Sequence, residues 1–279
     1  MSNPTNNHSS RFEIRQLRPE HIEWAKAVHS HSNSFFSPIW PKLYPNLPPW
    51  RIHDFFSAFD HLVRHQIESG LSYGIFDTEY KFKDPGSAKT GGKLYWEQPT
   101  TDIEKEATTQ QSLLDQMDFP LVSIALSFDP FNPFEMEKMM SLFALAPEFA
   151  FINAQINERD TRDPAMLEDP SAPGQILRRN STATRADYMG LGLMKMLSHH
   201  LMNEAAGKGF REIKIETFSD AVFHVWTNPP SPYKGEVVCE LNLKEFAGEV
   251  EVFGQTLPFE APWRNGNLTV SALDQDPAI

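Results

Sequence analysis

The chain has 279 residues, 40% of them hydrophobic, with 22 prolines, 14 glycines and a formal net charge of −12. That acidic balance argues against nucleic acid or an anionic membrane surface as partner and suits cationic substrates. A single cysteine, Cys239, excludes an internal disulfide framework, fits a reducing compartment and reads as a small core residue within Val237-Val238-Cys239.

Residues 1–11 are polar, without the apolar core of a secretory signal, so they are expected to be a disordered N-terminus of a cytoplasmic protein, with the nucleus as the other option. Phe12 to Leu17 alternates like a strand. Pro19 then opens a helix over Glu20–Ser30 with Ile22, Ala25 and Val28 along its apolar face. Between Ser32 and Trp50 the rings of Phe35, Phe36, Trp40, Tyr44 and Trp50 stand among five prolines. Two uses are open: a wall that holds an apolar amine or a cation against ring faces, or a set of pins fixing an irregular loop to the core. A second helix is expected from Arg51 to Ser69, and a strand over Leu71–Phe76.

Residues 83–111 turn polar and glycine-rich, a long surface insertion with Leu94-Tyr95-Trp96 as an apolar island able to dock on the body. A core strand follows at Pro120–Phe128, then a helix over Glu135–Ala146. Phe149–Asn153 reads as a strand or a helix end, and Glu158–Gly174 as a polar loop. The longest apolar run, Leu142 to Ile152, is broken by Pro147 and Glu148 and is too short to span a bilayer. Tyr233–Leu243 and Glu249–Phe259 read as closing strands, and 263–279 as a loosely ordered tail after one domain over 12–262.

The segment from Gln175 to Thr217 is the most informative. Gln175–Thr184 reads as a strand, Asp187-Tyr188-Met189-Gly190-Leu191-Gly192 as a turn, and Leu193, Leu197 and Leu201 recur at the spacing of one helix face. Gly207 and Gly209 stop that helix, and Glu212–Thr217 alternates with period two as the next strand. Two glycines at a helix start leave backbone N–H groups open to an anion; the plainer use is a tight turn.

Thr184-Arg185-Ala186-Asp187-Tyr188-Met189-Gly190-Leu191-Gly192 resembles the coenzyme A motif of the GNAT superfamily of acyl-CoA-dependent N-acyltransferases, V-x-P-x-Y-R-G-x-G, with the tyrosine and both glycines in register. Gly209-Phe210-Arg211-Glu212-Ile213 resembles the family's step into the following strand, and Arg18-Pro19-Glu20-His21 its common start. The motif's basic or amide residue is absent, with Asp187 and Met189 standing nearby. Where family members carry N-x-x-A-x-x-L-Y, this chain has Ser219 to Trp226, and an indole cannot serve as the general acid.

The resemblance implies a mixed α/β fold with a mostly antiparallel central sheet flanked by helices. It implies acetyl-CoA or coenzyme A held by Thr184, Met189, Gly190, Leu191, Gly192 and Leu193, and transfer of an acyl group to an amine of a small molecule or peptide. A homodimer is open, as is a protein of this fold that binds coenzyme or a protein partner without catalysis. For proton transfer, Glu216 is the leading base by position, followed by His224 and Asp220, with Tyr233 as a replacement acid. The alternatives are a solvated strand end for Glu216 and simple turn packing for Tyr233. No metal site is expected: His29 with His31, and His199 with His200, point apart on a helix.

Overall fold

The computed structural model describes residues 11–160, 170–242, 248–252, 255–259 and 269–276. Strands are β1 (Phe12–Gln16), β2 (Tyr73–Asp77), β3 (Lys93–Leu94), β4 (Met117–Asp118), β5 (Leu121–Phe128), β6 (Ile176–Thr184), β7 (Glu212–Thr217), β8 (Lys234–Asn242), β9 (Gly248–Val252), β10 (Gln255–Phe259) and β11 (Thr269–Asp276). Helices are α1 (Ile22–Phe36), α2 (Trp40–Leu43), α3 (Ile52–Ala58), α4 (Asp60–Glu68), α5 (Pro85–Thr90), α6 (Asp102–Ala107), α7 (Gln110–Asp115), α8 (Met136–Leu145), α9 (Pro147–Arg159), α10 (Leu193–Gly207) and α11 (Asp220–Thr227).

A seven-stranded sheet in the order β1-β2-β5-β6-β7-β11-β8 carries the fold, and every adjacent pair is antiparallel except β6 with β7. The apolar residues of its strands divide by alternation between two cores. On one face Ile75, Val122, Ala125, Leu177, Ile213 and Ile215 meet Leu193, Leu197, Leu201 and Met202 of α10 and Val225 and Trp226 of α11. On the other, Phe76, Leu121, Ile124, Leu126 and Ala183 meet Ile22, Ala25 and Val28 of α1 and Val63 and Ile67 of α4. Each such fully buried side chain stabilises the fold by about 1.5–3 kcal/mol. The faces assigned to Leu193, Leu197, Leu201 and to Ile22, Ala25, Val28 from spacing are the ones that are buried.

Several elements differ from the sequence reading. Helix α1 runs to Phe36, past the expected end at Ser30, because nothing between Ser30 and Pro38 breaks it. The expected helix over 51–69 is two, divided at Phe59. Phe149–Asn153 lies inside α9, which starts at Pro147, a favoured first-turn position. No single helix among the described residues is long and apolar enough to cross a membrane. The polar loop over 158–174 and the expected N-terminal disorder fall largely outside the described residues.

The insertion at 83–111 is pinned rather than free. Buried Asp118 accepts from the backbone amides of Lys83 and Asp84 and from the Tyr80 hydroxyl at 3.1 Å. Thr101 with Glu104 and Thr109 with Ser112 form capping boxes on α6 and α7. Trp96 docks as expected, donating to the Leu113 carbonyl at 2.8 Å and packing on Phe56.

The largest correction concerns the end of the chain. Within the expected tail, β11 inserts between β7 and β8 and is antiparallel to both, while β9 and β10 form a separate hairpin. The pair that closes the sheet is therefore β8 with β11. Since β7 has no other strand on that side, a chain ending at residue 268 is expected to lose cooperative thermal unfolding or to melt at least about 10 °C lower, by calorimetry. An unchanged transition would show that β11 is dispensable.

Candidate active site

Strands β6 and β7 are paired only at Ile176–Arg179 with Glu212–Ile215. Beyond those residues they part. The register of β6 against β5 slips between Leu126 and Ser127, leaving Asn180 as an extra residue on β6 at the point of divergence. From Ser181 to Thr184, β6 keeps β5 on one side and, among the described residues, has no strand on the other. A cavity of about 500 Å³ opens along that uncovered edge, lined by Arg179, Asn180, Ser181, Thr182, Ala183 and Thr184 from β6 and by Ile215, Glu216 and Thr217 from β7.

One end of the cavity is closed by the turn into α10. Met189, Gly190, Gly192 and Leu193 line it. Gly190 and Gly192 have φ of +80° and +75°, left-handed values that side-chain-bearing residues rarely adopt. Gly192 is the N-cap of the 15-residue α10 and supplies no side-chain cap, so the first amides of the helix face the cavity without an intrahelical acceptor. Leu191 does not line the cavity; it is 46% exposed.

Asp187, whose charge is unwelcome at an anion site, is neutralised locally. The Arg185 guanidinium, 1% exposed, holds it with two hydrogen bonds of 3.1 and 2.9 Å and donates to the Phe119 carbonyl at 2.8 Å. Tyr188 lines the cavity, and its hydroxyl donates to Asp77 at 2.7 Å. Burial foremost, and then that carboxylate, push the Tyr188 phenol above its ordinary range.

The opposite wall is aromatic. Phe36, Trp40, Tyr44, Phe55, Phe59 and Phe149 line it, with Trp40 stacked on Tyr44 at 6.2 Å between ring centroids. The 32–50 rings divide between two surroundings: Phe36, Trp40 and Tyr44 line the cavity, whereas Phe35 packs on His31 and Trp50 lies beneath Lys105. The Tyr44 hydroxyl donates to the Glu148 carboxylate. Burial and that carboxylate raise the phenol's pKa, so it stays protonated.

Among the expected catalytic groups, only Glu216 reaches the cavity, where its carboxylate is ion-paired with Arg178 of β6. Tyr233 and His224 do not. The Tyr233 hydroxyl donates to Asn203 at 2.7 Å, and His224 sits on α11 beside Asn228; neither lines the cavity. A period-two strand fixes the facing of Glu216, whereas the facing of α11 and of the turn before β8 is set by packing that leaves Trp226 buried. Sequence reading missed Arg179, Thr182 and His29. The adjacent arginines 178 and 179 were the available signal, because neighbours on a strand take opposite faces and one of them must enter a core.

No family model matches the sequence, and no curated protein matches it. Solved structures do. The C-terminal condensation domain of Ebony, in complex with beta-alanyl-dopamine, is similar over 94% of this chain and 98% of that one, with a TM-score of 0.59 at 16% identity. Arylalkylamine N-acetyltransferase 2 from Aedes aegypti covers 96% of this chain and 99% of its own, at TM-score 0.55 and 11% identity. The chain has the GNAT fold. Agmatine N-acetyltransferase shares it over 95% of this chain and 98% of its own, at TM-score 0.53 and 10% identity. In GNAT-fold terms, the sheet order, the parting of the two parallel strands and the glycine turn into α10 are one continuous feature.

His29, 5% exposed and lining the cavity, packs edge-on to Phe59 at 4.3 Å, and burial pushes its pKa down from 6.5 to about 4. Between those values the unfolded chain binds a proton at His29 that the folded chain refuses, so this residue's contribution to stability is lost as pH falls from 6.5 towards 4. The stability deficit of His29→Leu is therefore expected to shrink between about pH 7 and about pH 5, by guanidinium chloride denaturation. An equal deficit at both would show that His29 is not held neutral.

Proposed function

We propose that the protein is an N-acyltransferase that takes an acyl group from acetyl-CoA or a related coenzyme A thioester and transfers it to an amine of a small molecule or peptide. The observation that carries this reading is the uncovered edge of β6 leading to the uncapped start of α10. The two parts have complementary uses. The amides from Met189 to Leu193 suit a pyrophosphate. The free peptide groups of 180–184 suit an amide-bearing arm laid along them like an added strand.

The aromatic wall favours an acceptor amine with an aromatic or apolar body. The GNAT-fold neighbours whose names mention arylalkylamine, agmatine or beta-alanyl-dopamine support an amine as the acceptor class. In the transfer, a neutral amine nitrogen attacks the thioester carbonyl; the C–N bond forms, the nitrogen gives up one proton, the C–S bond breaks and coenzyme A leaves as a thiolate. Glu216 would take the ammonium proton, with Arg178 holding its carboxylate in place. Backbone N–H groups at the Asn180 bulge would stabilise the developing oxyanion.

A second reading, coenzyme binding without transfer, is favoured by one observation: Tyr44 and Tyr188, the two phenols lining the cavity, each donate to a carboxylate and have raised pKa values. Neither is free to protonate a thiolate.

Calorimetric titration separates the readings. Coenzyme A and acetyl-CoA are expected to bind with a Kd on the order of micromolar, and Gly190→Trp to weaken binding at least about tenfold. Outside its chain neighbours, no heavy atom lies within 4 Å of a Cβ added at 190, so the cost at the backbone is the strain of its left-handed φ, about 1–2 kcal/mol. Equal affinity in the variant would remove the coenzyme from this cleft. Glu216→Gln is expected to lower kcat about 10²–10⁴-fold while coenzyme affinity is retained. Tight coenzyme binding with no turnover over a panel of arylalkylamines and polyamines would favour the second reading.

A further inference from the structure

Arg179 is 2% exposed, lines the cavity, and its Nε and Nη2 have no hydrogen-bond partner among the described residues. Glu216 of the adjoining strand is taken by Arg178, which shares a face with Lys214 and Glu216 while Arg179 takes the other. A buried guanidinium without a partner is strongly destabilising, and an apolar side chain of similar volume would relieve that cost. Burial pushes Arg179 down to about 9, which leaves it charged at neutral pH. Among the described residues the fold thus sets a cation without a counter-ion against a cavity, a place suited to an anionic group of a ligand.

The unpaired atoms specify what kind. Nε and Nη2 form one edge of the planar guanidinium, the edge that grips a carboxylate through two parallel N–H···O bonds. Thr182 adds a hydroxyl. Ala125 and Ser127, two residues apart on β5, stand opposite Thr182 and Arg179, so the bulge at Asn180 returns Thr182 to the face of Arg179. Thr182 Oγ1 is also buried, unpaired and part of the cavity wall. A coenzyme phosphate does not belong here. Arg179 is at the closed end of the cleft, where β6 and β7 are still paired, and five strand residues, about 17 Å, separate it from Thr184 and the glycine turn.

We propose that Arg179, with Thr182 beside it, is the counter-ion for a substrate carboxylate, so that one of the two substrates is an acid. In detail this rests on the acyl-transfer reading, under which the carboxylate has two possible sources. It ends the acyl chain of a dicarboxylic monothioester, or it belongs to an acceptor such as an aromatic amino acid.

The test compares wild type with Arg179→Met and Arg179→Lys, the second keeping the charge but not the fork. Removing the unpaired charge is expected to raise the melting temperature of Arg179→Met. If the acyl group carries the acid, wild type binds succinyl-CoA roughly 10–100-fold tighter than acetyl-CoA, and the ratio falls to about one in Arg179→Met and only partly in Arg179→Lys. If the acceptor carries it, the two thioesters bind alike and kcat/KM for tyrosine exceeds that for tyramine, a preference lost in Arg179→Met.

A third arm needs no coenzyme: glutarate, but not its neutral diamide, raises the wild-type melting temperature and leaves that of Arg179→Met unchanged. Failure of coenzyme binding with this arm intact would sink the acyl-transfer reading and spare the carboxylate site. Absence of a carboxylate preference in all three arms would overturn the proposal.

Discussion

The structure turns on the parting of two parallel strands. Strands β6 and β7 run side by side for four residues, Ile176–Arg179 against Glu212–Ile215, and then separate. Backbone hydrogen-bonding groups inside a protein need partners, so an uncovered strand edge within a core is costly unless something completes it. The surrounding elements keep the gap open. Strand β5 holds the other edge of β6 from Arg178 to Thr184, interrupted by the Asn180 bulge, and β11 holds the far edge of β7. The residue tail that follows the β9–β10 hairpin is thus what allows β7 to remain in the sheet without closing onto β6.

Charge is handled locally around this gap. Asp187, next to the glycine turn, is neutralised by buried Arg185, and Glu216 by Arg178. Asp77 is held by Arg11 and by the Tyr188 hydroxyl, and although burial opposes it, these hydrogen bonds keep its carboxyl below the usual range. With Asp187, Glu216 and Asp77 each paired with an arginine, two positive groups stand along the cleft: the amides at the start of α10 and the Arg179 guanidinium. The net charge of −12 describes the whole chain and not this interior.

Much of the frame was legible. The strand, glycine turn, helix and strand from 176 to 217 stand where spacing put them, and the same holds for α1's buried face and for β5, because period-two and period-3.6 patterns report burial on one side of an element directly. Phe59 divides α3 from α4 without a proline or glycine to mark the break, and β11 has a weak alternation in Thr269–Asp276 whose strand character comes from two neighbours far away in sequence. Of four expected proton-transfer groups, Glu216 on a regular strand lines the cavity, and His224 and Asp220 on a short helix and Tyr233 in a turn do not.

The sequence by itself determined the local conformations: where helices start at proline or glycine, which faces are apolar, and that Gly190 and Gly192 can take left-handed geometry before α10. It also carried, in two glycines and a tyrosine, the likeness to GNAT chains. Only the tertiary structure decided which polar groups end up buried, which are paired and which are left waiting. Arg178 and Arg179 are identical and adjacent in sequence; one meets Glu216 and the other meets no partner, because their facing depends on the strand's period and their surroundings on strands and helices brought from elsewhere in the chain. Propensity and pattern are local properties, whereas the burial of a charge is a property of the whole packed molecule.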